Sequence, residues 1–300
     1  MQTSRTRIRI RESFGDRLFL TVVYILLTAV LLIVLYPLVY IFSSSLSSPA
    51  AVSSGRVWLL PIDFSLVGYK AVLNNAQVLT GYGNSLFYVI AGTLISVTLT
   101  VILAYPLSRR SFFGRNALMI FIVFTMLFSG GLIPMYLVVK QLGMIDTRWA
   151  LLIPQAIWVW QVIITRTFFQ VNIPDELVEA SEMDGCSDLR FLWSIVVPLS
   201  KPIIAVLVLM YAVGQWNAYF DALIYLKSQA LHPLQLVLRN ILILNTATGN
   251  MEASEMVKRQ QMADLMKYSL IVVASLPVLI IYPFVQRYFV QGMLIGSVKG

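Results

Sequence analysis

Acidic side chains are concentrated in one short segment of the sequence. Six of the chain's 14 acidic residues lie between Asp175 and Asp188. Pro174 suits a first helical turn, the acids after it complement the positive end of a helix dipole, and Gly185 permits a sharp bend. The pattern predicts a short acidic helix, a turn, and a second helix through residues 190–197 into Pro198. The charge alone leaves two interpretations open: a knob that docks on a partner protein, or an amphipathic loop that stays in water.

A second group of side chains has the chemistry to bind a sugar. Aromatic faces stack on pyranose rings and amides hydrogen-bond to hydroxyls. One stretch offers both, in Gln215, Trp216, Asn217, Tyr219 and Phe220. Aromatic residues also form belts at membrane interfaces, so a sugar path and an interfacial belt both remain open. We favour Asn217 for the path, because an amide that faces lipid is costly.

Catalytic and metal chemistry have little support in the sequence. One histidine and one cysteine exclude most Cys/His, Ser/His/Asp and metal-ligand sets, and Cys186 alone cannot form an intramolecular disulfide. The sequence contains no Gly-Lys dipeptide, and therefore no GxxxxGK[ST] phosphate-binding loop. We predict that the chain is not an enzyme and holds no cofactor or metal of its own.

The elements that position these residues are membrane helices. Of the 300 residues, 58% are apolar and only 12% are charged, whereas about a quarter of the residues in a soluble domain are charged. Uncharged runs near or above the roughly 20 residues that cross a bilayer predict an all-α membrane protein with six transmembrane helices. We place these spans at about 18–42, 82–108, 116–139, 149–171, 202–225 and 268–286, the fourth being the least certain by length.

Basic residues set the predicted orientation. The first 17 residues carry five arginines, which predicts a cytoplasmic arm at 1–17. Six spans then place both termini inside, with 13 of the 22 Lys and Arg residues inside and nine outside. We attribute the net charge of +8 to these topology signals, so the charge does not indicate binding to nucleic acid. The chain is predicted to be one membrane domain, 1–300, with a cytoplasmic loop at 172–199 and a C-terminal tail at 287–300.

Two long segments are predicted outside the membrane. Residues 43–81 begin Ser-rich and include a short surface helix near 66–74, and residues 226–265 contain a turn-rich break at 245–250 before a charged helix. Six prolines and the Gly130-Gly131 pair lie within the spans. Membrane helices are generally richer in both residues, but so many together favour a bundle with broken helices around a cavity.

The acidic segment resembles the EAA motif of binding-protein-dependent ABC importer permeases. The matching residues are Glu179-Ala180-Ser181, Gly185 and Ile195-Val196-Val197-Pro198. Ser181 and Val197 stand where the family usually has Ala and Leu. The stretches at 173–177 (IPDEL) and 296–300 (GSVKG) are similar to the carbohydrate-uptake branch, in particular to the second-permease subunit of maltose-like and polysaccharide transporters. The resemblance covers most of the chain.

The resemblance implies a type I ABC importer permease fold and a set of site residues. The loop docks into an ATPase subunit, which assigns ATPase coupling to Glu179, Ala180, Ser181, Asp184, Gly185, Ile195 and Pro198. The tail residues Lys299 and Gly300 reach the ATPase interface, unless the terminus is simply frayed. The implied partners are a homologous first permease subunit, two ATPase subunits that carry ATP and magnesium, an extracytoplasmic solute-binding protein, membrane lipid and an oligosaccharide or polysaccharide.

We therefore expect the chain to be a permease subunit of an ATP-driven carbohydrate importer in a bacterial cytoplasmic membrane. An ion-coupled secondary sugar carrier is the alternative from another class. Such a carrier needs ionisable groups within the membrane, and the predicted spans 82–108 and 116–139 contain none. An ABC permease for a non-sugar solute also remains open.

Overall fold

The computed structural model describes residues 13–244 and 253–295, and within them all regular secondary structure is helical. The helices are α1 (Phe14–Ser45), α2 (Pro49–Ser53), α3 (Val67–Leu73), α4 (Ala76–Ser108), α5 (Arg115–Leu127), α6 (Leu132–Gln141), α7 (Trp149–Leu152), α8 (Val159–Asn172), α9 (Asp175–Met183), α10 (Asp188–Phe191), α11 (Val197–Leu199), α12 (Lys201–Asn217), α13 (Phe220–Tyr225), α14 (Leu234–Leu244) and α15 (Ala253–Ile295). A π-helical turn at Leu192–Val196 joins α10 to α11, and a 3₁₀ turn lies at Gln229–Leu231.

Three helices in the described chain are long and apolar enough to cross a membrane: α1, α4 and the part of α15 at Glu255–Pro283. Two bent pairs raise the number to five if each pair is one span. The helices α5 and α6 meet at 113°, and the segment Asp188–Leu199 meets α12 at 85°. By length and composition the described residues therefore supply three to five spans, and the count of six stays a prediction.

Several boundaries differ from the predicted ones. The predicted span 149–171 is divided into α7 and α8 by a loop that contains Pro154, and the predicted span 202–225 is interrupted after Asn217. The predicted charged helix and the sixth span are one continuous helix, α15. Pro37 and Pro277 lie inside continuous helices, so these two prolines do not interrupt their spans.

One compact unit comprises Met1–Tyr69 and Glu252–Val272. A capping box between Ser13 and Asp16 fixes the start of α1, since each side chain satisfies a free backbone N–H of the first turn. At the other end of α1, buried serines bind the chain that follows, and Ser45 Oγ lies 2.7 Å from Tyr69 Oη. A small apolar cluster of Ala51, Val52, Val57 and Leu265 completes this unit.

The other unit comprises Lys70–Met251 and Val273–Gly300, with α4 at its centre. Helix α4 packs against α8, α12 and α14. Gly92 permits the close approach of α12, because a Cβ there would lie 2.9 Å from the amide of Gln215. Eight residues further along α4, Thr100 Oγ1 lies 2.7 Å from Tyr211 Oη. The core of this unit continues toward α9 and α10 through Phe169 and Phe191, so these short helices rest on the bundle.

Candidate functional site

The acidic segment folds as two short helices joined by a tight turn. Pro174 is the residue immediately before α9, with extended backbone, so α9 begins one residue later than its sequence suggested. The turn is closed by hydrogen bonds from the Gly185 N–H to the Glu182 carbonyl at 3.0 Å and from the Cys186 N–H to the Ser181 carbonyl at 2.9 Å. Gly185 has φ +69°, the left-handed conformation that ends many helices. We call the segment Asp175–Phe191 the acidic knob.

The acidic knob has one face toward the bundle and one toward solvent. Val178 and Cys186 pack against the core cluster, and Ser181 is buried with its hydroxyl donating to the Val178 carbonyl at 2.7 Å. The predicted coupling residues Glu179, Ala180, Asp184 and Gly185 are all exposed. The side chain of Met183, at the end of α9, is 89% exposed. The knob thus presents carboxylates together with exposed apolar side chains to whatever binds there.

A π-helical turn leads from the knob into the bundle. The Val197 N–H donates to the Leu192 carbonyl, five residues back, and Pro198 follows directly. Proline lacks an N–H and collides with the carbonyl four residues before it, so a wider turn relieves the conflict. Ile195 is half-buried against the core, whereas Pro198 is exposed.

Arg109 anchors the knob to the end of α4, a role that the sequence did not indicate. Its guanidinium is buried, with the Tyr105 ring centroid 5.0 Å and the Phe191 ring centroid 6.0 Å away. Nη1 donates to the Ile173 carbonyl at 3.3 Å and lies 3.7 Å from the carboxylate of Asp175. In the sequence Arg109 was only one of several positive charges at the predicted inner end of a span, and nothing in its spacing distinguished it.

Helix α8 is fastened to the same end of α4. Arg166 Nε donates to the Leu107 carbonyl at 2.9 Å, and Gln170 Nε2 donates to the Ser108 carbonyl at 3.5 Å. The last carbonyls of a helix lack hydrogen-bond partners within it, and a cation there also interacts favourably with the negative end of the helix dipole. The end of α4 thus joins α8 and, through Arg109, the acidic knob.

The five predicted sugar-path residues divide into two buried and three exposed side chains. Trp216 is buried, donating from Nε1 to the Ala274 carbonyl at 3.0 Å, with its ring edge-to-face on Tyr82. Gln215 is also buried and packs on Gly92. Asn217 is exposed and donates from Nδ2 to the Val213 carbonyl of its own helix at 2.8 Å, so its amide is partly satisfied even in lipid. Tyr219 and Phe220 lie exposed at the break between α12 and α13.

A cavity of about 570 Å³ lies beside these residues, among α4, the start of α8, α12 and α15. Among the five predicted path residues, only Trp216 lines it. The other walls are apolar, including Leu86, Trp158 and Pro277. A sugar needs hydrogen-bonding partners, and this cavity offers aromatic and aliphatic surface instead.

Comparison with known proteins identifies the family. Residues 92–295 match the family described as the binding-protein-dependent transport system inner membrane component. The chain belongs to this family. It is therefore an inner-membrane permease component of a binding-protein-dependent transport system, as its EAA-like segment predicted, and its multi-pass membrane localisation agrees with its apolar helices.

The permease resembles individual transport proteins along most of its length. It is 44% identical to Protein LplC of Bacillus subtilis (strain 168) over 270 residues, which are 89% of this chain and 90% of LplC. It is 42% identical to the polygalacturonan/rhamnogalacturonan transport system permease protein YtcP of the same strain, covering 95% of this chain and 99% of YtcP. A solved structure, a bacterial ABC transporter involved in the import of the acidic polysaccharide alginate, matches with a TM-score of 0.87 and 37% identity over 93% of this chain and 99% of that chain. The fold is therefore the type I ABC permease fold.

An aspartate staple organises the loop between α6 and α7 of the permease. The carboxylate of Asp146 accepts hydrogen bonds from the N–H groups of Lys227 and Ser228 at 2.9 and 2.8 Å, and from the Ser228 hydroxyl. These bonds favour the charged form and hold the pKa of Asp146 below its ordinary value. Asp146 itself has φ +60°, a conformation that Asp tolerates better than most residues. The sequence did not indicate this pairing, because the partners are about 80 residues apart.

A metal centre finds no support in the part of the chain that the structure describes. In residues 13–244 and 253–295, no three His, Cys, Asp or Glu side chains are placed to hold a metal ion together. The predicted tail residues Lys299 and Gly300 lie outside the described residues, as does the break at 245–250.

Proposed function

We propose that the permease passes oligosaccharide or polysaccharide fragments from an extracytoplasmic solute-binding protein to the cytoplasm, driven by ATP on partner ATPase subunits. YtcP is named for the transport of polygalacturonan and rhamnogalacturonan, and the solved relative is involved in the import of the polysaccharide alginate. The chain matches each of these two proteins over more than nine-tenths of its length. The membership of a binding-protein-dependent family supports the delivery route.

The observation that carries the coupling part of this proposal is the acidic knob. Its outer face combines the carboxylates of Glu179 and Asp184 with the exposed side chain of Met183, while its inner face is fixed to the bundle through Arg109. A rigid projection of this kind transmits the movement of a bound ATPase to α4 and α8. We assign docking to Glu179, Ala180, Asp184 and Gly185, and support of the knob to Ser181, Ile195 and Pro198.

We infer the other subunits of the transporter from the tasks that this chain leaves to its partners. The sequence has no GxxxxGK[ST] loop, so ATP and magnesium belong on two partner ATPase subunits. A homologous first permease subunit completes the channel, and Lys299 and Gly300 reach toward the ATPases. We further propose six spans with both termini inside and a single permease domain over residues 1–300.

For the sugar path we propose a division among the five candidate residues. Tyr219 and Phe220 are exposed where α12 ends, with ring centroids 6.5 Å apart and nearly perpendicular planes, and these faces are available for stacking. Asn217 beside them supplies an amide. Gln215 and Trp216 are buried behind this surface and hold α12 in place by their packing.

The test compares two charge reversals in the purified transporter reconstituted in proteoliposomes. Glu179→Arg reverses an exposed carboxylate on the knob, and Glu255→Arg reverses an exposed carboxylate on α15 as the matched control. We expect Glu179→Arg to reduce both ATPase co-purification and ATP-driven uptake of oligogalacturonate or alginate fragments, and Glu255→Arg to change neither.

Three outcomes would contradict the proposal. Normal co-purification and uptake with Glu179→Arg would reject the docking role of the knob. Uptake that persists without ATPase subunits under an ion gradient would favour a secondary carrier. Uptake of a non-sugar solute in preference to neutral or acidic oligosaccharides would reject the carbohydrate assignment.

A further inference from the structure

The loop that follows α2 returns to the end of α1. Residues 58–66, which we call the apolar loop, are tied back by hydrogen bonds to the last turn of α1 and to the residues after it. The bonds are Ser43 Oγ to the Leu59 carbonyl at 2.6 Å, the Ile62 N–H to Ser47 Oγ at 3.0 Å, the Ser48 N–H to the Ile62 carbonyl at 3.1 Å, and the Ser65 N–H to the Leu46 carbonyl at 2.9 Å. The loop is therefore held at the level of the C-terminal end of α1.

The side chains of the apolar loop divide into anchors and exposed groups. Val57, just before the loop, is buried, and Ile62 packs against the same cluster. In contrast, the exposed fractions of Trp58, Leu60 and Phe64 are 66%, 77% and 69%. Val57 and Ile62 anchor the backbone of the loop, so the large apolar side chains form a defined exposed surface.

The position of the loop indicates what covers this surface. The apolar run of α1 ends at Phe42, one residue before Ser43, which holds the loop. The described chain buries Ser43, Ser44 and Ser45 in α1 and no residue before them, so the apolar surface of the helix is uncovered up to the turn that holds the loop. Exposed Arg56 and Asp63 supply charge beside the apolar side chains. A tryptophan among aliphatic side chains, flanked by charges at the end of a span, suits the headgroup–acyl boundary of a bilayer.

We propose that the apolar loop lies in the headgroup–acyl boundary of the membrane, with lipid as its partner, and fixes the depth of the C-terminal end of α1. Trp58, Leu60 and Phe64 enter the boundary, while Arg56 and Asp63 remain at headgroup level. Interfacial anchors of this type determine the tilt and depth of a span. This role requires α1 to be a span, but it depends neither on the side of the membrane nor on the cargo.

Site-directed spin labelling tests the proposal, because the chain has a single cysteine. In a Cys186→Ser background, one spin label is placed by Leu60→Cys and a second, in a separate protein, by Phe64→Cys. Ser53→Cys, an exposed polar position on α2, is the matched control. Each labelled transporter complex is reconstituted in nanodiscs, and the collision rates of the label with oxygen and with a water-soluble nickel chelate are measured.

We expect the oxygen-to-nickel collision ratio at Leu60 and Phe64 to exceed that at Ser53 several-fold, because oxygen concentrates in lipid and the chelate stays in water. A label at Leu60 that collides freely with nickel lies in water, and the proposal is then wrong. A label shielded from both reagents is covered by protein, such as another permease or the binding protein, and that result also overturns it. The label at Phe64 keeps the test valid if Leu60→Cys disturbs folding.

Discussion

At the scale of single residues, the bend of the acidic knob depends on Gly185. Its φ of +69° is strained for residues with a Cβ, yet a Cβ there would meet no atom within 4 Å. Substitution therefore changes backbone energy without a steric clash. We predict that Gly185→Ala destabilises the turn by roughly 1–2 kcal/mol and lowers ATPase co-purification and stimulated ATPase activity, whereas Gly185→Asn retains more of both because Asn tolerates this conformation.

Gly143 provides the control for that experiment. It has φ +68° and equally free space, but it lies in the loop after α6. Gly143→Ala is expected to cost a similar amount of stability and to leave ATPase co-purification intact. If the two alanine variants lose co-purification equally, the effect of Gly185→Ala comes from general destabilisation and not from the knob.

Arg109 offers a second prediction at this scale. Two of its buried nitrogens, Nε and Nη2, have no hydrogen-bond partner, so the charge is expensive to bury even though Nη1 is bonded. Methionine keeps an unbranched side chain beside Tyr105 and Phe191 but removes the charge. We predict that Arg109→Met changes global stability little but increases local opening of α9 about tenfold, or about 1.4 kcal/mol, because the link to Ile173 and Asp175 is lost.

Hydrogen exchange of the α9 amides measures this effect. The control is Arg110→Met, which removes the neighbouring arginine, also within 3.8 Å of Asp175 but 85% exposed. An exposed ion pair contributes little, so its α9 exchange should match that of the wild type. Equal acceleration in both variants, or none in either, would show that Arg109 does not anchor the knob.

The residue scale also shows what a sequence can and cannot reveal. The acidic helix and the bend at Gly185 were predictable, because dipole complementarity and left-handed glycine act between neighbours in the chain. The anchor at Arg109 was not, since it depends on Phe191, 82 positions away. Asn217 was favoured for the path because its amide would be unsatisfied in lipid, but its own helix provides the acceptor at Val213. Partners distant in sequence, such as those of Arg109, were therefore not visible, and the bond between Asn217 and Val213 was overlooked although its partners are only four residues apart.

At the scale of elements, the break between α5 and α6 is set by Gly131. Its φ of +84° with ψ of 178° lies in a region that is essentially restricted to glycine. We predict that Gly131→Ala destabilises the 113° bend by about 2 kcal/mol, measured as a lower thermal midpoint of the transporter. Gly130→Ala is the matched control, because φ at Gly130 is not positive and its nearest neighbour, Pro134 Cβ, is at an ordinary 3.7 Å.

An equal loss of stability in the two variants would contradict this assignment. It would mean that the added methyl group, and not the backbone conformation, causes the loss. A loss of stability confined to Gly131→Ala would show that the bend requires a backbone conformation at position 131 that is essentially restricted to glycine.

Element boundaries were predicted where apolar length decides them and missed where turns decide them. The uncharged runs at 18–42 and 82–108 lie within α1 and α4, since an uninterrupted apolar run in a membrane must be helical. The break after Asn217 and the division of 149–171 leave the apolar run intact, so counting uncharged residues does not detect them. The prolines gave mixed guidance, because Pro154 lies in the loop that divides 149–171 whereas Pro277 is tolerated inside α15.

At the scale of the whole molecule, charged residues are scarce, so the positions of the few that occur are informative. The chain has 36 charged residues, 22 basic and 14 acidic, and six of the 14 acids lie in the acidic knob. The knob carries acids where the flanks of the neighbouring spans carry arginine. This contrast in charge sign, and not overall hydropathy, distinguishes the sequence from that of a generic bundle of apolar helices.

The six-span topology depends on whether α5–α6 and α7–α8 each cross the membrane. The test introduces single cysteines at exposed positions in a Cys186→Ser background. The substitutions are Ser111→Cys before α5–α6, Gln141→Cys between the two pairs, and Ser187→Cys after α7–α8. We expect a membrane-impermeant maleimide to label the Gln141 site in intact cells, and the Ser111 and Ser187 sites only after permeabilisation. If the Gln141 site is also protected in intact cells, the 113° pair is re-entrant and there are fewer than six spans. If the sites at Gln141 and Ser187 are both labelled from outside, residues 149–172 do not cross, and the acidic knob would lie on the wrong side of the membrane to meet an ATPase.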